Sequence, residues 1–286
     1  MNLKISHTTR YDYNREVQIM PHLLYLRPRE NPLLQIKNFT FRFEPEAHVD
    51  WMRDDFDNLP ASAQFSETTT SLKICSECDV STTDTSPFDF LIRDYATTFP
   101  FSYEPLHQFN LSIYLTPPEK DVQLLLKEWM DKKHIVRTEE TVPWLSELNQ
   151  MVSRNLVYKR REEAGIQSAR TTLFRGSGTC RDFAMLFIEC ARTLGLAARF
   201  VSGYNFDPGR YGGSGGDMHA WAEVFLPGAG WRGIDPTNGI FCDSAYVPVA
   251  HAVVAESVNP IQGSFFSAPP AEATLYTDVR VSLGSE

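Results

Sequence analysis

Hydrophobic and polar positions change their period once along the chain. In the first third they alternate: Phe39, Phe41 and Phe43 are interleaved with Asn38, Thr40 and Arg42, the period-2 pattern of a half-buried strand. Leu3 and Ile5 open a similar run, and Ser71 to Ile74 and Leu111 to Leu115 predict further short strands. Turn formers lie between them, Arg53-Asp54-Asp55 with Asn58 and Pro60, then Ser81 to Pro87. No helix-length periodicity appears before Leu115.

From Thr116-Pro117-Pro118 onward the period becomes helical. Val122, Leu125, Leu126 and Trp129 fall at i, i+3, i+4 and i+7. Thr141 with Pro143 starts a second helix, whose Trp144, Leu145, Leu148, Met151 and Val152 form one apolar stripe. A third carries Phe183, Leu186, Phe187, Cys190 and Leu194 and stops at Gly195, a suitable C′ residue. Strands are predicted again over 199–204, 219–225, 231–235, 247–254 and 276–283. The order predicts an α+β protein. A β-rich, sandwich-like domain over residues 1–117 precedes a second domain over residues 118–286 that includes the C-terminal strands.

Composition narrows the function classes. The 286 residues are 42% apolar and 22% charged, which excludes wholesale disorder. There are 27 Lys and Arg against 36 Asp and Glu, a net charge of -9. An acidic chain without a basic block is a poor match for nucleic acid or an anionic membrane surface. The N-terminal run MNLKISHTTRYDYN has no apolar h-region, and no stretch approaches the ~18–20 apolar residues of a membrane span. Five cysteines are too few for a disulfide scaffold, and the odd count leaves at least one thiol free. The expectation is a soluble protein of a reducing, cytoplasmic compartment.

Position separates the cysteines. Cys190 lies on the apolar stripe of the third helix, and nothing around Cys242 argues for function. Cys75 and Cys78 form a CxxC, but no second ligand pair stands nearby, and on a strand residues three apart point to opposite faces. Cys180 differs, because Gly176-Ser177-Gly178-Thr179-Cys180-Arg181-Asp182 places it where the third helix begins. The partial positive charge and unpaired N–H groups of a helix N-terminus stabilise a thiolate and can hold an oxyanion. Asp182, in the first turn, suits that terminus as a favourable charge.

A nucleophilic cysteine needs a base, and the base an orienting acceptor. His7, His22, His48, His107 and His134 suit surface or loop roles, and His251 a core or edge position. His219 opens Met218-His219-Ala220-Trp221-Ala222-Glu223-Val224, and Asp235 lies in Gly233-Ile234-Asp235-Pro236-Thr237-Asn238. The two segments predict a hairpin around Pro227-Gly228-Ala229-Gly230. If those four residues alone formed its loop, Asp235 would point to the face opposite His219. A working triad therefore requires an odd-length loop or a bulge. Trp221 shares a strand face with His219, as core packing or as a wall of the acyl pocket. Tyr204 and the glycine-rich stretch 209–216 are candidates for a lid. That stretch lacks the GK[ST] and adjoining helix start of a phosphate loop.

The runs RGSGTCRDFAMLFIECARTLGLAARFVSGY and HAWAEVFLPGAGWRGIDPTNG resemble the bacterial transglutaminase-like proteins of the papain-like cysteine-enzyme superfamily. His7-Thr8-Thr9-Arg10-Tyr11-Asp12-Tyr13 and Leu26-Arg27-Pro28-Arg29 resemble the β-rich N-terminal domain that commonly precedes that core. The resemblance implies a papain/transglutaminase-like core with Cys180 as nucleophile, His219 as base and Asp235 as orienter. Trp221, Tyr204 and Thr179 are then candidates for the substrate and oxyanion site. No metal or organic cofactor is implied, and the partner is a peptide or protein substrate. One departure is Asp55-Phe56-Asp57-Asn58, where a D-x-x-G-N pattern is usual; Asp57 tolerates the left-handed conformation better than most residues. Acyl transfer through a thioester is expected, as cysteine protease or amidase hydrolysis. Alternatives are protein-glutamine transamidation, a non-catalytic binding scaffold, and a zinc site made of the same three side chains.

Overall fold

The computed structural model describes residues 1–133, 139–160, 165–211 and 215–284, with the side chains of residues 210 and 211 excepted. The first third is all strand: β1 (Asn2–Ile19), β2 (His22–Leu24), β3 (Leu34–Glu44), β4 (His48–Trp51), β5 (Ala61–Gln64) and β6 (Thr68–Thr82). β1, β6 and β3 pair in one antiparallel sheet, and β2, β5 and β4 in a second. Tyr13, Val17, Ile19, Leu72 and Ile74 of the first sheet pack on Leu24, Ala61 and Ala63 of the second, giving the expected sandwich. Further along the same face, Leu3, Ile5, Cys78 and Val80 join the core of the second half. His7 and His22 do not take the surface roles expected of them. Both are buried, because they fall on inward positions of their strands.

Residues 111–115 are helical rather than extended: α1 (Pro105–Asn110) runs into α2 (Ser112–Leu115). Pro105 supplies a ready-made first-turn residue. The buried pair is Leu111 and Tyr114, three apart, while Ile113 is exposed. In so short a run, alternation and helical spacing share most positions. Three longer helices follow the predicted periodicity: α3 (Lys120–Lys132), α4 (Thr141–Asn155) and, after a short parallel pair with α5 between, α6 (Cys180–Thr193). The short elements are β7 (Val157–Tyr158), α5 (Ala169–Arg175) and β8 (Ser177–Gly178). Gly195, at φ +85°, closes α6 in the left-handed conformation that a side chain would resist.

A third antiparallel sheet completes the core. It contains β9 (Ala198–Phe206), β10 (Gly216–Leu226), β11 (Gly230–Asp235), β12 (Ile240–Phe241) and β13 (Tyr246–Ala252), in the order β12-β11-β10-β9-β13. Ala220, Ala222, Val224 and Leu226 of β10 face the buried side of α6 with Phe183, Leu186 and Phe187. The small alanines let the helix approach the sheet closely. β14 (Ile261–Gln262), β15 (Phe265–Phe266) and β16 (Ala273–Leu283) follow this sheet in sequence but pair with the first third: β14 with β2, and β15 and β16 with β1. Asn58 also ties the two halves. Its side chain donates to the His251 carbonyl at 2.9 Å and accepts the His251 N–H at 3.0 Å. Asp57 beside it has φ +60°, the conformation expected where the family pattern has glycine.

Candidate active site

Cys180 is the first residue of α6, with Thr179 as N-cap. Asp182 accepts the Thr179 N–H at 2.8 Å and its hydroxyl at 3.1 Å. It also accepts the backbone N–H of Gln167 at 2.7 Å and its Nε2 at 3.1 Å. Asp182 is fully buried, so these four donors fix the helix tip as well as charging it favourably. The Thr179 hydroxyl is committed to this cap and the residue is buried, which corrects its expected place in substrate contact.

His219 and Asp235 lie on adjacent strands. Pairing of β10 with β11 runs from Ala222↔Ile234 to Leu226↔Gly230, leaving Pro227, Gly228 and Ala229 as the loop. This is the odd length that the alternation of side chains demanded. It turns Asp235 to the face carrying His219 and Trp221. His219 Nε2 donates to Asp235 Oδ2 at 2.8 Å, and both residues are buried. β11 pairs no further along β10 than Ala222. Two residues beyond, the Ala220 N–H donates to the Cys180 sulfur, which also shares a hydrogen bond with the His219 ring. With Nε2 committed to Asp235, that bond falls to Nδ1. Cys180 itself is half-buried.

Burial opposes charge on all three groups, yet the mutual interactions prevail. Burial pushes the Cys180 thiol up, but the His219 hydrogen bond and charge and the Ala220 amide bring it below its ordinary value. Burial lowers His219, but the Asp235 carboxylate and the Cys180 sulfur raise it. Asp235 ends below its usual range through His219, the Tyr246 hydroxyl and the Thr237 amide, against the upward push of burial. Each shift favours the charged form of its group: thiolate, imidazolium and carboxylate. Cys78, Cys190 and Cys242 go the other way, held protonated chiefly by burial.

Further residues complete the arrangement. Asn238 Nδ2 donates to Asp235 Oδ2 at 2.7 Å, and the Thr237 N–H to Oδ1 at 2.8 Å. The Asp-Pro-Thr-Asn run is legible as a turn in which an aspartate bonds its own backbone two residues on. Tyr246 is not legible from sequence: it comes from β13, and its hydroxyl donates to Asp235 Oδ2 at 2.7 Å. Gly203 faces His219 across β9 and β10, and a Cβ there would collide with the Val247 carbonyl and the Trp221 ring. Trp221 is buried and stacks on His219 with centroids 6.4 Å apart. It also meets Tyr246 edge-on at 5.3 Å. Trp221 thus packs against the imidazole.

Tyr204 requires correction. It pairs with Met218, one residue off the His219 register, so it points to the opposite face of the sheet. It is fully buried, and its hydroxyl meets His7 Nδ1 at 3.1 Å. The lid expected over 209–216 includes residues 212–214, which lie outside the described residues, as does His134. Cys75 and Cys78 occupy opposite faces of β6 and are free thiols. Among the described residues no three His, Cys, Asp or Glu side chains are grouped to hold a metal ion. No helix there is long and apolar enough to cross a membrane.

Comparison with known proteins agrees with this architecture. Residues 136–236 match the transglutaminase-like superfamily, and residues 3–81 match the bacterial transglutaminase-like N-terminal region. An uncharacterised protein of Mycobacterium tuberculosis is 25% identical over 277 residues, covering 92% of this chain and 87% of that protein. An uncharacterised Mycobacterium leprae protein is 32% identical over 102 residues, 34% of this chain and 36% of its own. The crystal structure of a candidate cysteine protease from Cytophaga hutchinsonii shares the fold. Its TM-score is 0.75 at 19% identity, over all of this chain and 92% of that one.

Proposed function

The chain joins a bacterial transglutaminase-like N-terminal region to a transglutaminase-like core, and on that premise we propose that it is a cysteine hydrolase acting on a peptide or carboxamide by thiol-dependent acyl transfer. The observation that carries this reading is the hydrogen-bonded series Cys180–His219–Asp235 at the tip of α6. In the proposed reaction the Cys180 thiolate adds to the substrate carbonyl carbon. Helix N-terminal N–H groups, including that of Cys180, receive the developing oxyanion. Imidazolium Nδ1–H gives its proton to the departing amine or ammonia as the C–N bond breaks, leaving a thioester. His219, now neutral, takes a proton from water as the water oxygen attacks. The acid departs and the thiolate is restored. Asp235 holds the ring orientation and supports its positive charge throughout.

The state of the other cysteines supports selective chemistry. All five are free, which fits a reducing, cytoplasmic setting, and burial raises three of them. The deciding experiment is turnover of a glutamine-containing peptide library with and without an added primary amine, using wild type and Cys180→Ala. Acid release by wild type alone supports the hydrolase. Amine incorporation replaces it with transamidation. Absence of both, together with unselective iodoacetamide labelling, overturns the enzyme reading in favour of a binding scaffold.

A further inference from the structure

The outer face of the β9–β13 sheet carries a second group of ionisable side chains that the proposed chemistry does not use. A cavity of about 420 Å³ opens there. Arg29, from the loop after β2, Arg199 of β9 and His251 of β13 converge on it. The Arg29 side chain donates to the neutral Asn58 Oδ1 at 2.8 Å, and its backbone N–H is fixed to the Pro248 carbonyl at 2.8 Å. Arg199 bonds Glu223 at 2.6 Å and lies 4.1 Å over the Trp231 ring. His251 is 5% exposed, and its Nδ1 has no hydrogen-bond partner.

The two arginines disfavour charge on His251, and Arg199 disfavours it on Arg29. Burial, then the positive fields of Arg199 and Arg29, push His251 down to about 2. Burial and Arg199 lower Arg29 in turn. Glu223, Asp57 and Asp54 oppose the Arg29 shift, but each bonds another group, Asp57 pairing with Arg53. Glu223 serves Arg199, Glu30 serves Arg27 at 3.2 Å, and Asp54 accepts the Phe56 and Asn58 amides. The His251 ring lines this cavity together with two guanidinium groups, and a buried ring nitrogen left without a partner is costly.

We propose that this cavity is a binding site for a small organic carboxylate, held by Arg29 and Arg199 with the His251 ring in its wall. The lining arginines, Arg29, Arg199 and Arg232, outnumber its glutamates, Glu30 and Glu223, by one, which matches a monoanion rather than a dianion. Leu33, Val201, Trp231 and Pro248 complete the wall and suit a compact apolar body on the carboxylate. The site is separate from the thiol: Glu223 lies four residues along β10 from His219, roughly 13 Å at the strand rise. Trp221 and Glu223 both line an adjoining hollow on this face.

The test is calorimetric titration of the full chain with benzoate, its uncharged analogue benzamide, and inorganic phosphate. Saturable benzoate binding is expected, unchanged in Cys180→Ala and weakened about tenfold or more in Arg29→Gln. A second measurement needs no variant: the His251 ring resonances of wild type should move with benzoate and not with benzamide. Equal response to benzamide, or no saturable response to benzoate at about millimolar concentration, overturns the assignment. Phosphate binding as tightly as benzoate does so too, since it marks a general anion site. Loss of benzoate binding in Cys180→Ala would place the ligand at the thiol and overturn the separate site. Each of these outcomes leaves the acyl-transfer reading standing.

Discussion

Tyr246 and Asp235 meet through a single hydrogen bond, hydroxyl to Oδ2 at 2.7 Å, that joins the outermost strand on one side of the sheet to the strand bearing the carboxylate. The same oxygen receives His219 Nε2 and Asn238 Nδ2. Three donors on one buried oxygen keep the carboxylate ionised and oriented.

Tyr246→Phe removes one charge-assisted bond, worth about 1.5–3 kcal/mol. Asp235 should then titrate closer to its ordinary 3.8 and support the imidazolium less well. The acid limb of the pH–activity profile should move to higher pH. A lowered melting temperature with an unmoved acid limb would reduce Tyr246 to packing.

Thiol reactivity should follow the coupled charges. Because Cys180 is held below its ordinary 9.0 mainly by His219, iodoacetamide should label it near neutral pH. In His219→Gln labelling should require alkaline pH. Equal labelling profiles for the two proteins would show that the imidazole does not activate the thiol.

Stability should depend on pH through the same groups. His219 is raised above its ordinary 6.5, so its contribution is complete below 6.5 and is lost as pH rises through the folded value. Asp235 is depressed below 3.8, so its contribution is complete above 3.8 and is lost as pH falls through the folded value. Urea denaturation of wild type and Asp235→Asn should therefore differ most between pH 3.8 and 6.5. A difference that grows toward alkaline pH would contradict the coupling.

Asp182→Ala strips the acceptor from two backbone amides, a hydroxyl and a side-chain amide. Each buried donor left unpaired costs about 1–3 kcal/mol. The variant should lose at least about 3 kcal/mol in chemical denaturation, and the rate of Cys180 labelling should change because the helix tip loosens. Loss below 1 kcal/mol would mean that water replaces the carboxylate.

Gly203→Ala adds a methyl where the Trp221 ring and the Val247 carbonyl already lie. Overpacking of about 1–3 kcal/mol is expected, together with a fall in kcat as Trp221 is displaced from beneath His219. A stable variant with normal kcat would show that the sheet opens there at no cost to the imidazole. At the Asp57 turn the sign differs: Asp57→Ala should lose about 1 kcal/mol for a left-handed residue with a Cβ, and Asp57→Gly should not.

Much of this molecule is written locally. The alternation at Phe39–Phe43, the stripes of α4 and α6, the stop at Gly195 and the left-handed tolerance of Asp57 depend on a few neighbouring residues. Sequence periodicity therefore determined them. So did the placement of Cys180 at a helix tip, because a helix start is a local event. Residues 111–115 misled because so short a segment satisfies two periods at once, and only packing of Leu111 and Tyr114 chose between them.

Relationships between distant strands needed the tertiary structure. The sequence by itself determined that His219 and Asp235 can share a face only across an odd loop; the pairing Leu226↔Gly230 decided that they do. Tyr246 reaches Asp235 because β13 belongs to the same sheet. Tyr204 turns away from His219 because Gly203, not Tyr204, is its register partner. The Arg29–Arg199–His251 cavity draws on three separate segments. Spacing along a chain encodes local geometry, whereas register, burial and electrostatic coupling arise only when remote segments are brought within a few ångströms.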